Sequence, residues 1–367
     1  MIIDGHAHTF PPLGTDSGDQ TAATQLKFIQ RHTQFHVAGW RRRRDDERAD
    51  PTLLMPSGDG IDDLADVDFR VGTYGRLECT VDDEDYYLQW SPCWFWNMSL
   101  PPEILVAYMN AVGVDKAVLQ HDHIYGSLNE YFSECMQRYP GRFLPLAQIR
   151  QWEIGDEQLG RLEHAVQTLG LRGLYFDVEA LSVTNWVDQF DDAKFEPLWD
   201  AVRRLDIPIF WYLYTSHRDA LCHYLEQVNR LDRWAQAHPD IQCVHTHGME
   251  TIAMQRSLPL AERVRVSDEV WRCLKNPNVH LEIMLQLMAP DTEYPFLWAQ
   301  DLLKELYEEL GPQKLVWGSD MPAAERMVTY RQAMDYVRLH AEFMSPADKD
   351  LFFGGNIARI LGGDRLE

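Results

Sequence analysis

The chain opens on Asp4-Gly5-His6-Ala7-His8. In an extended strand, side chains two apart leave the same face, so His6 and His8 point the same way with Asp4 in phase behind them. Two imidazoles converging at a strand end give a two-nitrogen grip for a divalent cation. His245-Thr246-His247 repeats the spacing just before Gly248. Its two rings are also expected to share a face, one reaching the site as ligand or general base while the other packs in the strand. Asp320 follows the apolar run Leu315–Ser319. A carboxylate there can ligate a metal and take a proton from bound water. Arg150, Asp177, Glu282 and Arg326 stand in or after similar runs and could hold a substrate carboxylate, or support the ligands from behind. The run Arg41–Arg44 is read as a solvated loop.

These residues need a scaffold that brings strand ends together. Apolar runs at Met1–Gly5, Asp115–Gln120, Phe143–Ile149, Gly173–Asp177, Pro208–Tyr214, Ile241–Thr246, Val279–Met284 and Leu315–Ser319 read as eight strands. From the second onward they recur about every 27–38 residues, the spacing of βα units. Helical patterns lie between them, as in Asp156–Leu169, Phe195–Leu205 and Trp298–Leu310, and another opens at Pro101-Pro102. Alternating strands and helices imply a mainly parallel α/β sheet, and eight strands favour a closed (β/α)8 barrel of the TIM type over an open sheet. No GxGxxG turn follows any strand, so a dinucleotide-binding fold lacks its phosphate loop. Residues 11–100 break the repeat. They hold a strand-like piece (Asp68–Val81) and the aromatic knot Tyr86–Trp96. The expectation is one domain, 1–367, with 11–100 inserted as a cap over the barrel mouth.

Composition narrows the partners. The net charge is −23, from 57 acidic and 34 basic residues, which disfavours nucleic acid and anionic membranes. No apolar run approaches the length of a bilayer span, and no secretory signal opens the chain. Six scattered cysteines without a CxxC pair read as reduced thiols in a cytoplasmic protein. The expected partner is a small molecule, and the aromatic surface is compatible with a homodimer.

Several motifs together resemble the amidohydrolase-2 family, which includes the aminocarboxymuconate-semialdehyde decarboxylase group. The opening is similar to that family's ID-x-H-x-H, and HPDIQCVHTHG (His238–Gly248) to its sixth-strand segment, aligning His247 with the catalytic histidine. VWGSDMP (Val316–Pro322) resembles its LFGSDxP, aligning Asp320 with the essential aspartate; FFGGNIARILG (Phe352–Gly362) and DDAKFEPLWDAV (Asp191–Val202) resemble two more segments. The resemblance implies a barrel with one divalent metal, zinc or manganese, held by His6, His8, a fifth-strand histidine and Asp320, with His247 and Asp320 catalytic. The chain departs at the fifth strand, where Tyr212 stands in place of the histidine. A phenol with a pKa of about 10 is a poor substitute for imidazole. His217, His245 and His121-Asp122-His123 are candidate replacements. Tyr212, His123, Arg150 and Glu282 are the expected substrate contacts.

The reading that follows is a metal-dependent hydrolase attacking an ester, lactone or amide of a small, carboxylated or aromatic molecule. The alternatives are a non-oxidative decarboxylase, a metal-independent lactonase like the branch acting on 2-pyrone-4,6-dicarboxylate, and a non-catalytic binding protein on a barrel that has lost its chemistry.

Overall fold

The computed structural model describes residues 1–36, 39–216, 219–255, 258–288 and 293–363. Eight strands run parallel: β1 (Ile3–Ala7), β6 (Lys116–Leu119), β7 (Phe143–Pro145), β8 (Leu174–Asp177), β9 (Ile209–Tyr212), β10 (Cys243–Thr246), β11 (Val279–Ile283) and β12 (Leu315–Trp317). They form a three-stranded sheet, β1-β6-β7, and a five-stranded sheet, β12-β11-β10-β9-β8. Further backbone bonds link the two sheets on both sides. Ala147 N donates to Gly173 O (2.7 Å) and Tyr175 N to Ala147 O (2.8 Å). At the other edge, His8 N donates to Met321 O (2.8 Å) and Asp320 N to His6 O (2.9 Å). β1 runs on through His6 to Ala7, past the expected end at Gly5, with its register shifting between Asp4 and Ala7.

The strands are buried on both faces, as parallel strands with helices outside must be. One face of both sheets feeds a single apolar cluster that includes Ile3, Val118, Tyr175, Phe210, Val244 and Val316, joined by Ile357 and Ile360 from near the C-terminus. The other face packs on helices. Trp211 of β9 lies 4.9 Å from Trp234 and 5.5 Å from Trp199, ring centre to ring centre, on helices Ala220–Ala237 and Glu196–Leu205. These helices begin and end where local chemistry dictates. The Asp219 side chain accepts from Cys222 N at the start of one. Gly113, at φ 84°, closes helix Pro102–Val112 in a left-handed turn that only glycine adopts freely.

Within residues 11–100, strands β2 (Arg41–Arg42), β3 (Arg70–Val71), β4 (Arg76–Val81) and β5 (Glu84–Gln89) form an antiparallel sheet of order β2-β5-β4-β3. The basic run expected as a solvated loop instead starts in an edge strand. Its charges are carried by exposed pairs such as Arg42–Asp45 (2.6 Å) and Arg44–Glu84 (2.9 Å). Helix Ala22–Thr33 lies in the same segment and is capped by Thr21, whose side chain accepts from Thr24 N. The aromatic knot divides: Trp90 and Phe95 are buried, whereas Trp94 and Trp96 reach solvent. All six cysteines are free. Among the described residues, no helix is long and apolar enough to cross a membrane.

β1 and β12 approach so closely that Gly5 has no room for a side chain. A Cβ there would lie 2.7 Å from Trp317 O and 2.9 Å from Val316 Cγ1. Because one contact is backbone, the strands must separate to admit a methyl group. Gly5→Ala is expected to lower stability by about 1–3 kcal/mol, read from the shift of the urea unfolding midpoint.

Candidate active site

The ends of β1, β6, β10, β11 and β12 bring together one buried polar cluster. His6 Nδ1 lies 2.8 Å from Glu282 Oε2, and His8 Nδ1 lies 2.8 Å from Gln120 O. Both partners can only accept, so each Nδ1 carries the ring proton and each Nε2 presents a lone pair. Those two Nε2 atoms face each other at 3.1 Å, and Asp320 Oδ1 lies 3.0 Å from one and 3.8 Å from the other. Two lone pairs and a carboxylate oxygen aimed at one point repel unless a cation or a shared proton joins them. The donor set, two imidazole nitrogens and a carboxylate, fits zinc or manganese. Among the described residues, His6, His8 and Asp320 are the group of this kind, with ligand atoms all within 4.8 Å of one another.

The supports behind the cluster are as specific as the cluster. Glu282 is fully buried. Its Oε1 accepts from Gln120 Nε2 (2.9 Å), and its Oε2 takes the His6 bond and one from His247 N (3.3 Å). Gln286 Nε2 donates to Asp320 Oδ2 at 2.9 Å, leaving Oδ1 for the histidines. Asp4 does not reach the cluster. It accepts from Ser319 N (2.9 Å), Ser319 Oγ (2.5 Å) and Tyr330 OH (2.6 Å), fixing the turn that carries Asp320. Burial pushes the Asp4 carboxyl up to about 6 against those hydrogen bonds. Asp320 and His247 both adopt left-handed backbone, at φ 56° and 52°. Such strain, of order 1–3 kcal/mol per residue, gathers at functional sites.

That left-handed turn corrects the expectation for His245 and His247. Strand alternation stops at Thr246, so the two rings do not share a face. His245 packs outward, with Nε2 3.0 Å from Tyr224 OH, and burial drives its pKa down to about 3. His247 turns inward, its ring 4.8 Å from His6 and its Nδ1 3.2 Å from Glu250 Oε1. Burial opposes a charge on His247, but Glu250, Asp320 and Glu282 together raise its pKa. Burial likewise opposes ionisation of Asp320, and its contacts with His8, His6 and His247 outweigh it, holding the carboxyl below its usual range.

Tyr212 ends β9 beside this cluster, its ring edge-on to His247 at 4.7 Å. Burial, with Glu250 and Asp122 nearby, raises its phenol well above the usual value, so it keeps its proton. Among the described residues, none of the candidate replacements for a fifth-strand ligand joins the group formed by His6, His8 and Asp320. His217 lies outside the described residues. His121 is enclosed against Phe132, with both ring nitrogens unpartnered and its pKa well below the usual value through burial. His123 stacks on Phe28 at 5.1 Å and bonds Gln151 Oε1 at 3.0 Å. His123 and Arg150 line a separate cavity of about 640 Å³, where Arg150 pairs with Asp19 at 3.0 Å. Alternation after β6 sends Asp122, between the two histidines, into the main cavity instead. Glu282 supports His6 from behind.

The main cavity, about 1160 Å³, is lined by His6, His8, His247, Asp320 and Tyr212 on one side. Residues from 11–100, including His32, Trp90 and Trp94, line it too, as do Asp122, Tyr125 and Arg326. Tyr125 stacks on His8 at 4.8 Å. Of these residues, Tyr125, Glu250, Gln286, Gln120 and His32 carry no sequence spacing that singles them out. The Glu250 position, three after His247, is the one signal a helical offset could have exposed.

A family model described as amidohydrolase matches residues 96–363. The chain belongs to the amidohydrolase family. This amidohydrolase is 25% identical over 224 residues to 4-sulfomuconolactone hydrolase of Rhizobium radiobacter, a match covering 60% of the chain and 66% of that enzyme. It is similar in fold to a dihydroxybenzoic acid decarboxylase from a Polaromonas species with bound manganese (14% identity, TM-score 0.52, covering 73% of this chain and 88% of that one). It also resembles an amidohydrolase of Burkholderia multivorans with bound zinc (17% identity, TM-score 0.54, covering 72% and 89%).

The Glu282 bonds generate a test of the cation site. Glutamine offers one acceptor oxygen where the carboxylate offers two, so in a Glu282→Gln variant either His6 Nδ1–H or Gln120 N–H faces another N–H. The variant is expected to bind zinc about 10–100-fold more weakly in a competition titration with a chromophoric chelator.

Proposed function

We propose that this amidohydrolase is a hydrolase that opens a lactone or ester of a small, ring-shaped carboxylated or sulfonated molecule, using one divalent cation held by His6, His8 and Asp320. The observation that carries the proposal is the pair of lone-pair-bearing Nε2 atoms 3.1 Å apart beside Asp320 Oδ1. A bound cation supplies Lewis acidity toward the substrate carbonyl and the attacking water. Asp320 Oδ1 accepts the proton that the water loses. His247, whose pKa Glu250 helps to raise, donates to the oxygen that leaves. Tyr212 and Trp90 give the substrate ring apolar walls and keep bulk water out. The likeness to a sulfomuconolactone hydrolase favours hydrolysis over decarboxylation.

The same proposal covers the scaffold. The eight parallel strands form a closed (β/α)8 barrel, a reading supported by the backbone bonds at both sheet edges and by the one apolar cluster drawn from both sheets. Residues 11–100 cap its mouth within a single domain, supported by Trp90 and Trp94 lining the cavity that holds the cluster. A second reading, a metal-independent lactonase, is favoured by Tyr212 alone: it stands where a fourth ligand is expected and keeps its proton.

Elemental analysis of protein purified without chelator decides between these readings. The expected result is about one equivalent of zinc or manganese per chain, lost in Asp320→Ala together with turnover of a lactone and aryl-ester panel followed by acid release. Lactone opening by protein that neither contains nor takes up metal would move the assignment to the metal-independent reading. Release of CO2 from a dihydroxybenzoate, with no acid released from any lactone, would overturn hydrolysis.

A further inference from the structure

Among the titratable side chains of the cavity that lie outside both the cluster and the stretch matched by the family model, His32 is held by a buried carboxylate. His32 ends helix Ala22–Thr33 and lines the cavity while remaining mostly buried. Its Nδ1 lies 3.1 Å from Glu179 Oε2, and Glu179 Oε1 accepts from Ser216 N at 2.8 Å. The ring is therefore clamped from one side by a carboxylate that is itself fixed. Among the described residues, nothing bonds the opposite nitrogen, Nε2. The aromatic rings run in series toward the cation cluster: His32 to Tyr212 at 6.4 Å, Tyr212 to His247 at 4.7 Å, His247 to His6 at 4.8 Å.

We propose that His32 is a specificity-determining residue, whose Nε2–H donates to a carboxylate or sulfonate oxygen of the substrate across the Tyr212 ring from His6, His8 and Asp320. The inference rests on reading the main cavity as a substrate pocket. A charge-assisted bond from a fixed imidazolium is strong and directional, which suits it to select for an oxyanion. Burial disfavours charge on the ring, but Glu179, Asp122 and Asp177 outweigh it and push the imidazole up to about 9, so the proton is present at neutral pH. The surrounding acids do not cancel this. Glu179 is engaged by His32 and Ser216 N, and Asp177 Oδ1 by Glu179 N at 3.0 Å. Asp122 Oδ1 is buried without a protein partner, and burial, the largest influence on its carboxyl, raises its pKa. His32 thus presents one fixed N–H donor to the same cavity that His6, His8 and Asp320 line.

Calorimetric titration of the metal-loaded protein with benzene-1,3-dicarboxylate, 3-sulfobenzoate and neutral resorcinol tests the inference. The expected result is binding of at least one anion, weakened about tenfold or more by His32→Phe, with resorcinol affinity and metal content unchanged. Preference between the two anions tells carboxylate from sulfonate. Glu179→Gln keeps the ring and the Ser216 contact while removing the clamping charge, and it should weaken the same anion severalfold; it decides the matter if His32→Phe does not fold. Equal anion affinity in wild type and variants overturns the proposal. So does parallel loss of resorcinol binding, or failure of wild type to bind either anion. Lactone turnover, measured separately, keeps this result distinct from the hydrolase reading: inactive protein that still loses anion affinity on substitution sinks that reading alone.

Discussion

The site depends on one buried carboxylate. Glu282 has no access to solvent, so its lone pairs must be met by protein donors or its burial would cost several kcal/mol. The donors come from three other parts of the chain: the His6 ring, the Gln120 amide and the His247 backbone. Each bond fixes something the chemistry needs. The first sets which nitrogen of His6 carries the proton, the second holds the strand whose Gln120 carbonyl does the same for His8, and the third anchors the left-handed turn that swings His247 inward. Gly318 lacks a side chain for the same reason: a Cβ there would crowd His6 Cβ at 2.9 Å and the Glu282 carboxyl at 3.0 Å.

The strands and the convergence of His6, His8 and Asp320 were legible because they rest on local regularities. Alternation put His6 and His8 on one face, and apolar runs at regular spacing marked all eight parallel strands to within a few residues. Where local rules stop, the reading stopped as well. His247 was expected to share a face with His245 because nothing in HTHG announces a positive φ at a non-glycine residue. His123 and Arg150 were placed at the site because they follow strands, but beyond a strand end the chain bends freely, and both turn to a neighbouring cavity. Gln120 and Gln286 act through single hydrogen bonds set by tertiary contact, and a lone glutamine has no period to betray it. Residues 11–100 yielded only the β4 stretch and the aromatic knot, since short antiparallel strands joined by polar turns carry weak patterns.

The electrostatics of the cavity are as divided as its lining. Around His6, His8 and Asp320, nitrogen lone pairs converge and favour a cation. Near His32 the arrangement inverts, with carboxylates set back behind a protonated ring. Between the two lie Tyr212, which is neutral, and His247, whose pKa the nearby acids raise. An overall charge of −23 conveys none of this, because long-range surface charge is screened by salt over about 8–10 Å, whereas a buried pair at 3 Å is not.

The cavity draws His6, His8 and Asp320 from strand ends and part of its wall from a segment threaded between β1 and β6. Strand-end residues are locked by sheet hydrogen bonds and by a packed interior, so their positions tolerate little change. The wall residues on helix Ala22–Thr33 and in the aromatic knot belong to the segment that also forms the small antiparallel sheet. Changes within that segment alter the shape and charge of part of the cavity wall, while the hydrogen bonds that hold His6, His8 and Asp320 come from outside it. A library confined to residues 11–95 is therefore a direct way to vary what the cavity admits while the sequence of every strand end stays fixed.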